Sequence, residues 1–218
     1  MSLINEATFI PITASKGSEA AVAELLTGAA PIVRSTEPLT LQWMALRDGT
    51  DGFVIVDFFQ DGKGREAHFA GKVAAALKNA AGSAVVGGWD KGVVANVQNA
   101  RVLSATVTAS QSPPPRLAVR INVKAKSGKE AALAAFLTSG AALVKATEPG
   151  TLLWYAIETG SGSFTIFDLF PDNEAKAAHF AGQVAAALKA KADELIEGGW
   201  EAGVVANVKS YDVLSATY

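Results

Sequence analysis

The sequence contains no cysteine, only two histidines and two methionines, and 18% charged residues in 218. Without cysteine there are no disulfides, no thiol nucleophile and no Cys-ligated metal; this fits a reducing compartment, and a cytoplasmic location is expected. Two histidines in separate parts of the chain do not supply the three or four clustered ligands of a zinc site, so no metal is expected. Lys and Arg number 19 against 21 Asp and Glu, giving a formal net charge of −2. No basic run tracks a phosphate backbone, which argues against nucleic acid as a partner. No uncharged apolar stretch approaches the ~18 residues of a membrane span, so no membrane partner is expected. Met1 to Thr8 lacks the basic-then-apolar order of a signal peptide. There is no Gly-x-Gly-x-x-Gly after a strand and no Ser/His/Asp nucleophile context, so neither a dinucleotide fold nor a serine hydrolase is indicated.

What is present is a repeat. Half of the residues are hydrophobic, enough for a sizeable core. Sliding the chain by 111 positions aligns Gly17 with Gly128, and continues without a gap to Val107 against Tyr218. About half of the aligned positions are identical, well above chance. Ala67-His68-Phe69-Ala70-Gly71 matches Ala178-His179-Phe180-Ala181-Gly182, Gly87-Gly88-Trp89 matches Gly198-Gly199-Trp200, and Val102 to Thr106 matches Val213 to Thr217. Prolines 113 to 115 cannot donate ladder bonds and favour an extended spacer. The expected organisation is a first unit over 1–109, a Pro-rich linker over 110–116 and a second unit over 117–218.

Each unit reads as βαββαβ. Phe9 to Ala14 and Leu117 to Lys124 are first strands, the latter alternating Leu117, Val119, Ile121 and Val123. Glycines 17 and 128 open a helix with Glu19 or Glu130 in its first turn, where a carboxylate suits the dipole. Glu37-Pro38 and Glu148-Pro149 end it, because a residue before proline avoids the α region. Thr40 to Arg47 and Phe53 to Phe59 are joined by Gly49-Thr50-Asp51-Gly52 as a hairpin. Asp61 and Asp172 are candidate N-caps of a second helix reaching Lys78 and Lys189. An irregular or partly helical connection follows each Gly-Gly-Trp, and Arg101 to Thr108 or Asp212 to Tyr218 closes each unit. The fold class expected is α+β: two tandem ferredoxin-like units packed as an intramolecular, pseudo-dimeric α+β barrel. Such a chain has already satisfied its main interface, and a monomer or weak homodimer is expected.

Four polar positions draw attention. His68 and His179 occupy equivalent positions beside an apolar helix face, and histidine is the natural acid or base near neutral pH. Asp57 and Asp168 share a strand face with Phe53, Ile55 and Phe59 or their counterparts, and a carboxylate among phenylalanines is costly unless paired. Both sets are candidate catalytic residues; the alternative is structural pairing to backbone or capping groups. Trp43, Trp154, Phe59 and Phe170 could wall a flat ligand or simply fill the core, and Asn96 and Asn207 could bind a ligand carbonyl or nearby backbone.

The sequence resembles the antibiotic biosynthesis monooxygenases, within the dimeric α+β barrel superfamily, once per half. The resemblance rests on the glycine-opened helices (Lys16-Gly17-Ser18-Glu19; Ser127-Gly128-Lys129-Glu130) and the aromatic second strands (Leu41-Gln42-Trp43; Leu152-Leu153-Trp154). It continues in Phe53 to Phe59 with Phe164 to Phe170, and in Ala67-His68-Phe69 with Ala178-His179-Phe180. It implies a cofactor-independent monooxygenase that deprotonates a small aromatic, a quinol or polyketide phenol, with the histidine or aspartate as base and the tryptophan as wall. The family's second-strand aromatic is usually tyrosine, and its third strand often ends in tryptophan, so the substrate is left open. The haem-degrading branch uses an Asn–Trp–His set; here Asn122 faces Pro11 and the tryptophan is on another strand, so haem is not expected. The alternative function is a non-catalytic, ligand-binding or stress-associated barrel in which the same residues serve packing.

Overall fold

A computed structural model describes residues 4–107 and 113–218. Ser110, Gln111 and Ser112 of the expected linker lie outside the described residues; Pro113 to Arg116 lead directly into the next strand.

The first half runs β1 (Glu6–Thr13), α1 (Glu19–Thr27), α2 (Ala29–Thr36), β2 (Thr40–Asp48), β3 (Gly52–Phe59), α3 (Gly62–Phe69), α4 (Lys72–Ala84), α5 (Gly88–Gly92) and β4 (Gln98–Val107). The second runs β5 (Leu117–Lys124), α6 (Glu130–Thr147), β6 (Leu153–Gly160), β7 (Ser163–Phe170), α7 (Asn173–Phe180), α8 (Gln183–Leu195), α9 (Gly199–Gly203) and β8 (Val208–Thr217). The fold class is α+β, the eight-stranded antiparallel barrel class built from two ferredoxin-like units.

Residues 4–99 with 211–218 form one compact unit, and residues 100–210 the other. In the first, β3 lies between β1 and β2, with Thr8 and Trp43 flanking Asp57, and β8 continues the sheet beyond β2. In the second, β7 lies between β5 and β6, with Val119 and Trp154 flanking Asp168, and β4 continues beyond β6. The strand ending each half of the sequence is thus registered on the second strand of the other half. Val102 pairs with Ile157, and Ala216 with Met44.

Within each unit the helices cover one sheet face. Ile10, Ile12, Trp43, Ala45, Phe53 and Ile55 pack with Val22, Leu26, Val33, Val73, Leu77 and Ala81. The second unit repeats this with Ile121, Trp154, Phe164 and Ile166 against Leu133, Leu137, Val144, Leu188 and Ala192. The opposite faces, carrying Met44, Val56 and Phe58 or Tyr155, Phe167 and Leu169, are buried as well.

Two expected helices are interrupted. The helix after Gly17 breaks at Gly28 into α1 and α2, with Pro31 in the first turn of α2 where its missing N–H is tolerated. Its counterpart, α6, carries Ser139 and Ala142 at those places and is continuous. The helix expected from Asp61 to Lys78 breaks in both units, at Ala70-Gly71 and Ala181-Gly182. Asp61 does cap α3, accepting from the Lys63 and Gly64 amides, and Asp172 caps α7 through the Ala175 amide. Among the described residues no helix is long and apolar enough to cross a membrane.

Candidate functional site

Each unit builds a Glu–His–Asp group from three elements. The glutamate caps a helix: Glu37 ends α2 at φ −128°, ψ 69°, and Glu148 ends α6 at φ −130°, ψ 70°. Neither angle pair is helical, because the following proline excludes the α region, and this turns the chain inward. The histidine sits in the last turn of α3 or α7. The aspartate is on the central strand of the three that precede it, between a tryptophan on one side and Thr8 or Val119 on the other.

In the first unit His68 Nδ1 donates to Glu37 Oε2 at 2.5 Å, and the Thr40 hydroxyl lies 3.3 Å from the same nitrogen. The other ring nitrogen, Nε2, faces Asp57 Oδ1 at 3.7 Å. The second unit repeats the geometry: His179 Nδ1 to Glu148 Oε2 at 2.5 Å, Thr151 Oγ1 at 3.4 Å, and His179 Nε2 to Asp168 Oδ2 at 3.8 Å. The break between the two later helices lets the glutamate in. A Cβ on Gly71 would come within 2.7 Å of Glu37 Cδ, and one on Gly182 within 2.7 Å of Glu148 Oε1.

The electrostatics follow from burial. Both aspartates are fully buried, and among the described residues none of their carboxylate oxygens has a hydrogen-bond partner. Burial pushes Asp57 up to about 6, against the pull of His68 and Arg65, and Asp168 up to about 7. Burial alone would lower both histidines, but the facing aspartate and the bonded glutamate outweigh it and raise them. Burial would also raise Glu37, yet the hydrogen bond and charge of His68, the Val73 amide and Thr40 hold it below its ordinary value. A histidine with one nitrogen fixed by a carboxylate has a set tautomer and orientation, and its second nitrogen is the one free to exchange a proton.

His179 also borders a cavity of about 330 Å³, whose lining includes Trp154, Ile121, Ile166, Leu188, Trp200 and Lys176. Its lining is apolar apart from a few polar groups, the usual character of a small-molecule site. Among the described residues the Trp154 indole N–H, like that of Trp43, has no hydrogen-bond partner. In the first unit a cleft of about 240 Å³ lies over Glu37, Thr40 and His68.

The candidates read from sequence thus separate. His68 with Asp57, and His179 with Asp168, are brought together. Trp43 and Trp154 stand next to the aspartates, and Trp154 walls the cavity. Phe59 and Phe170 are not among the cavity residues; their rings back the histidines at centroid distances of 5.8 and 5.3 Å. Asn96 and Asn207 donate to the Gly92 carbonyl and to the Ala202 and Gly203 carbonyls, ending the short helices α5 and α9. The sequence reading missed Glu37, Glu148, Thr40 and Thr151. Their signal was Glu-Pro at the same place in both copies, visible only as a helix stop. Among the described residues no group of three or more acidic or histidine side chains is arranged to hold a metal ion.

Solved structures share this fold over nearly the whole chain. A candidate monooxygenase from Fusobacterium nucleatum subsp. nucleatum superposes with a TM-score of 0.79 at 16% identity, over 99% of this chain and 95% of that one. One from Lactobacillus acidophilus NCFM gives 0.76 at 11% identity, over 99% and 96%. A ferredoxin-fold protein from Listeria monocytogenes 4b F2365, related to antibiotic biosynthesis monooxygenases, gives 0.50 at 11% identity, over 97% and 95%. The chain has the antibiotic biosynthesis monooxygenase-like fold. Identities this low show the monooxygenase-like fold and leave the reaction to the site itself. No protein-family model and no curated protein matches the sequence.

Proposed function

We propose that the chain binds a small planar phenol or quinol and promotes its oxidation by molecular oxygen, with no bound cofactor. The observation that carries this is His179: Glu148 fixes one ring nitrogen, the other faces the buried carboxylate of Asp168, and the ring borders an apolar cavity walled by tryptophan. A phenol in that cavity would present its hydroxyl to the histidine and its ring to Trp154. His179 takes the phenolic proton, with Asp168 supporting the imidazolium, and the phenolate places carbanion character on a hydrogen-bearing ring carbon ortho or para to the oxygen. That carbon gives electrons to O₂ and forms a C–O bond to it. Loss of the ring C–H proton and cleavage of the O–O bond then leave a quinone carbonyl and one water. In balance, phenol plus O₂ gives quinone plus water: the ring is oxidised by four electrons, and both oxygen atoms are accounted for.

The test is oxygen uptake by the purified chain with a panel of quinols and naphthols. With a turned-over substrate, His68→Gln with His179→Gln should lower the rate by about two orders of magnitude or more, the usual contribution of a positioned base. Undiminished uptake in that double variant would remove the histidines from the chemistry. Thermal stabilisation by a phenol that is never oxidised would leave a binding protein in place of an oxygenase.

A further inference from the structure

The two units are built alike around their histidines but differ at one corner. Strand register equates Glu6 with Leu117 and Thr8 with Val119, since each faces the corresponding residue of the central strand. The 111-residue shift equates Arg65 with Lys176 and Asn99 with Ser210. In the first unit these four side chains form a continuous polar network. Arg65 pairs with Glu6 at 2.7 Å, Arg65 Nε donates to Thr8 Oγ1 at 3.1 Å, and the Thr8 hydroxyl donates to Asn99 Oδ1 at 3.1 Å. Thr8 is completely buried beneath it, beside Asp57. Arg65 reaches far enough for its charge to act on Asp57.

In the second unit none of this can form. Leu117 and Val119 offer no acceptor to a cation, Ser210 is shorter than asparagine, and Lys176 has an ammonium in place of the guanidinium fork. Two of the four counterparts, Lys176 and Ser210, line the cavity. The neighbouring helix positions are correspondingly open: Val184 and Ala185 are half-buried, whereas Val73 and Ala74 are buried at 3% and 7% exposure.

We propose that the two copies have diverged in use: the second unit carries the working site, for a flat aromatic acid, and the first unit's copy is sealed by the Arg65 network. The ring lies in the apolar cavity between Trp154 and Trp200, and an anionic substituent meets the Lys176 ammonium at the edge. An ammonium beside an apolar cavity gains most from an anion whose apolar part fills that cavity. The network in the first unit meets the same corner with its own carboxylate, Glu6, on its own cation, so an incoming anion finds the charge already paired. This rests on the cavity being the ligand site, but it concerns binding and does not require turnover.

Calorimetric titration of the full chain with 2-naphthoate and with 2-naphthol, in the absence of oxygen, tests it. The expected result is one site per chain for each probe. Lys176→Gln should weaken 2-naphthoate about tenfold, the equivalent of ~1.4 kcal/mol, and leave 2-naphthol within about twofold. Transplanting the network, with Leu117→Glu, Val119→Thr, Lys176→Arg and Ser210→Asn together, should abolish binding. The reciprocal set, Glu6→Leu, Thr8→Val, Arg65→Lys and Asn99→Ser, should create a second site, and it keeps the idea testable if the transplant fails to fold. Two sites in the unaltered chain, no binding of either probe, or a reciprocal variant that still binds one equivalent would overturn the proposal. Binding as expected without oxygen uptake would leave it standing and defeat only the oxygenase reading.

Discussion

At the scale of single residues, the unusual feature is a fully buried aspartate in each unit, with no hydrogen bond among the described residues, facing a histidine whose other side is held by a glutamate. Linkage gives this arrangement a pH signature. Asp57 and Asp168 rise from 3.8 to about 6 and about 7 on folding. Between those limits the folded chain holds protons that the unfolded chain has released, so stability falls as pH rises through that window. The raised histidines act in the same direction: their contribution is complete below the ordinary histidine value and is lost as pH climbs through the folded one. Glu37 acts oppositely, since its lowered value contributes stability that disappears as pH falls below the ordinary carboxylate range. The melting temperature should therefore peak in mildly acidic solution and decline through neutrality. Asp57→Asn with Asp168→Asn should flatten that decline. A melting temperature that climbs from pH 5 to pH 8 would show that the aspartates are ionised at little cost. These residues were legible as candidates because a carboxylate on a phenylalanine face is anomalous in any alternating strand. Their glutamate partners were not, because Glu before Pro has a sufficient explanation as a helix stop.

At the scale of elements, the break between α3 and α4, repeated between α7 and α8, makes the site. A continuous helix would carry a side chain where the glutamate now enters. Gly71 and Gly182 have φ of −81° and −82°, open to any residue, so their smallness matters for space and not for backbone freedom. A Cβ at Gly71 would meet the Glu37 carboxylate and lie 2.9 Å from the His68 carbonyl; at Gly182 it would lie 3.0 Å from the His179 carbonyl. Gly71→Ala and Gly182→Ala should each destabilise by about 1–3 kcal/mol, the range for forcing a methyl into packed surroundings. Each should also displace its glutamate, which imidazole proton chemical shifts would report. An alanine tolerated with no loss of stability and no change at the histidine would mean that the helix break has another cause. The apolar periodicity of these segments predicted helix correctly, but the break escaped it: the Ala-Gly pair keeps the spacing of the apolar face, and only the partner entering from a distant element shows why the helix stops. By the same logic Gly28 and Pro31 split one copy of the first helix while α6 stays whole, a difference written in the sequence at positions where the copies disagree.

At the scale of the whole molecule, the repeat made the fold legible, and its very fidelity hid one feature of the strand register. Val102 to Thr106 and Val213 to Thr217 are the same five residues, so nothing in their composition says which half's second strand each is registered on. In the structure β8 lies along β2, where Ala216 faces Met44 and the Trp43 amide donates to Thr217 Oγ1 at 3.1 Å, while β4 lies along β6. The first half alone, residues 1–107, therefore has a β2 edge that in the full chain is occupied by a strand from residues it lacks. Met44 and Leu46 beside that edge are buried in the full chain, so exposing them to water is unfavourable. The half nevertheless carries the cure in β4, whose Thr106 stands where Thr217 stands in β8. A second copy can lay its β4 along the vacant β2, and the first can return the contact, which is a closed two-fold exchange. Residues 1–107 expressed alone should thus run as a dimer by light scattering, with a melting temperature that rises with concentration as dissociation becomes part of unfolding. Replacing Ala105 with proline, opposite the place Met44 would take, should prevent the pairing and leave an unfolded or aggregated chain. A folded monomer with concentration-independent melting would show that β2 does not need the exchanged strand, and that the duplication joined two units each already sufficient on its own.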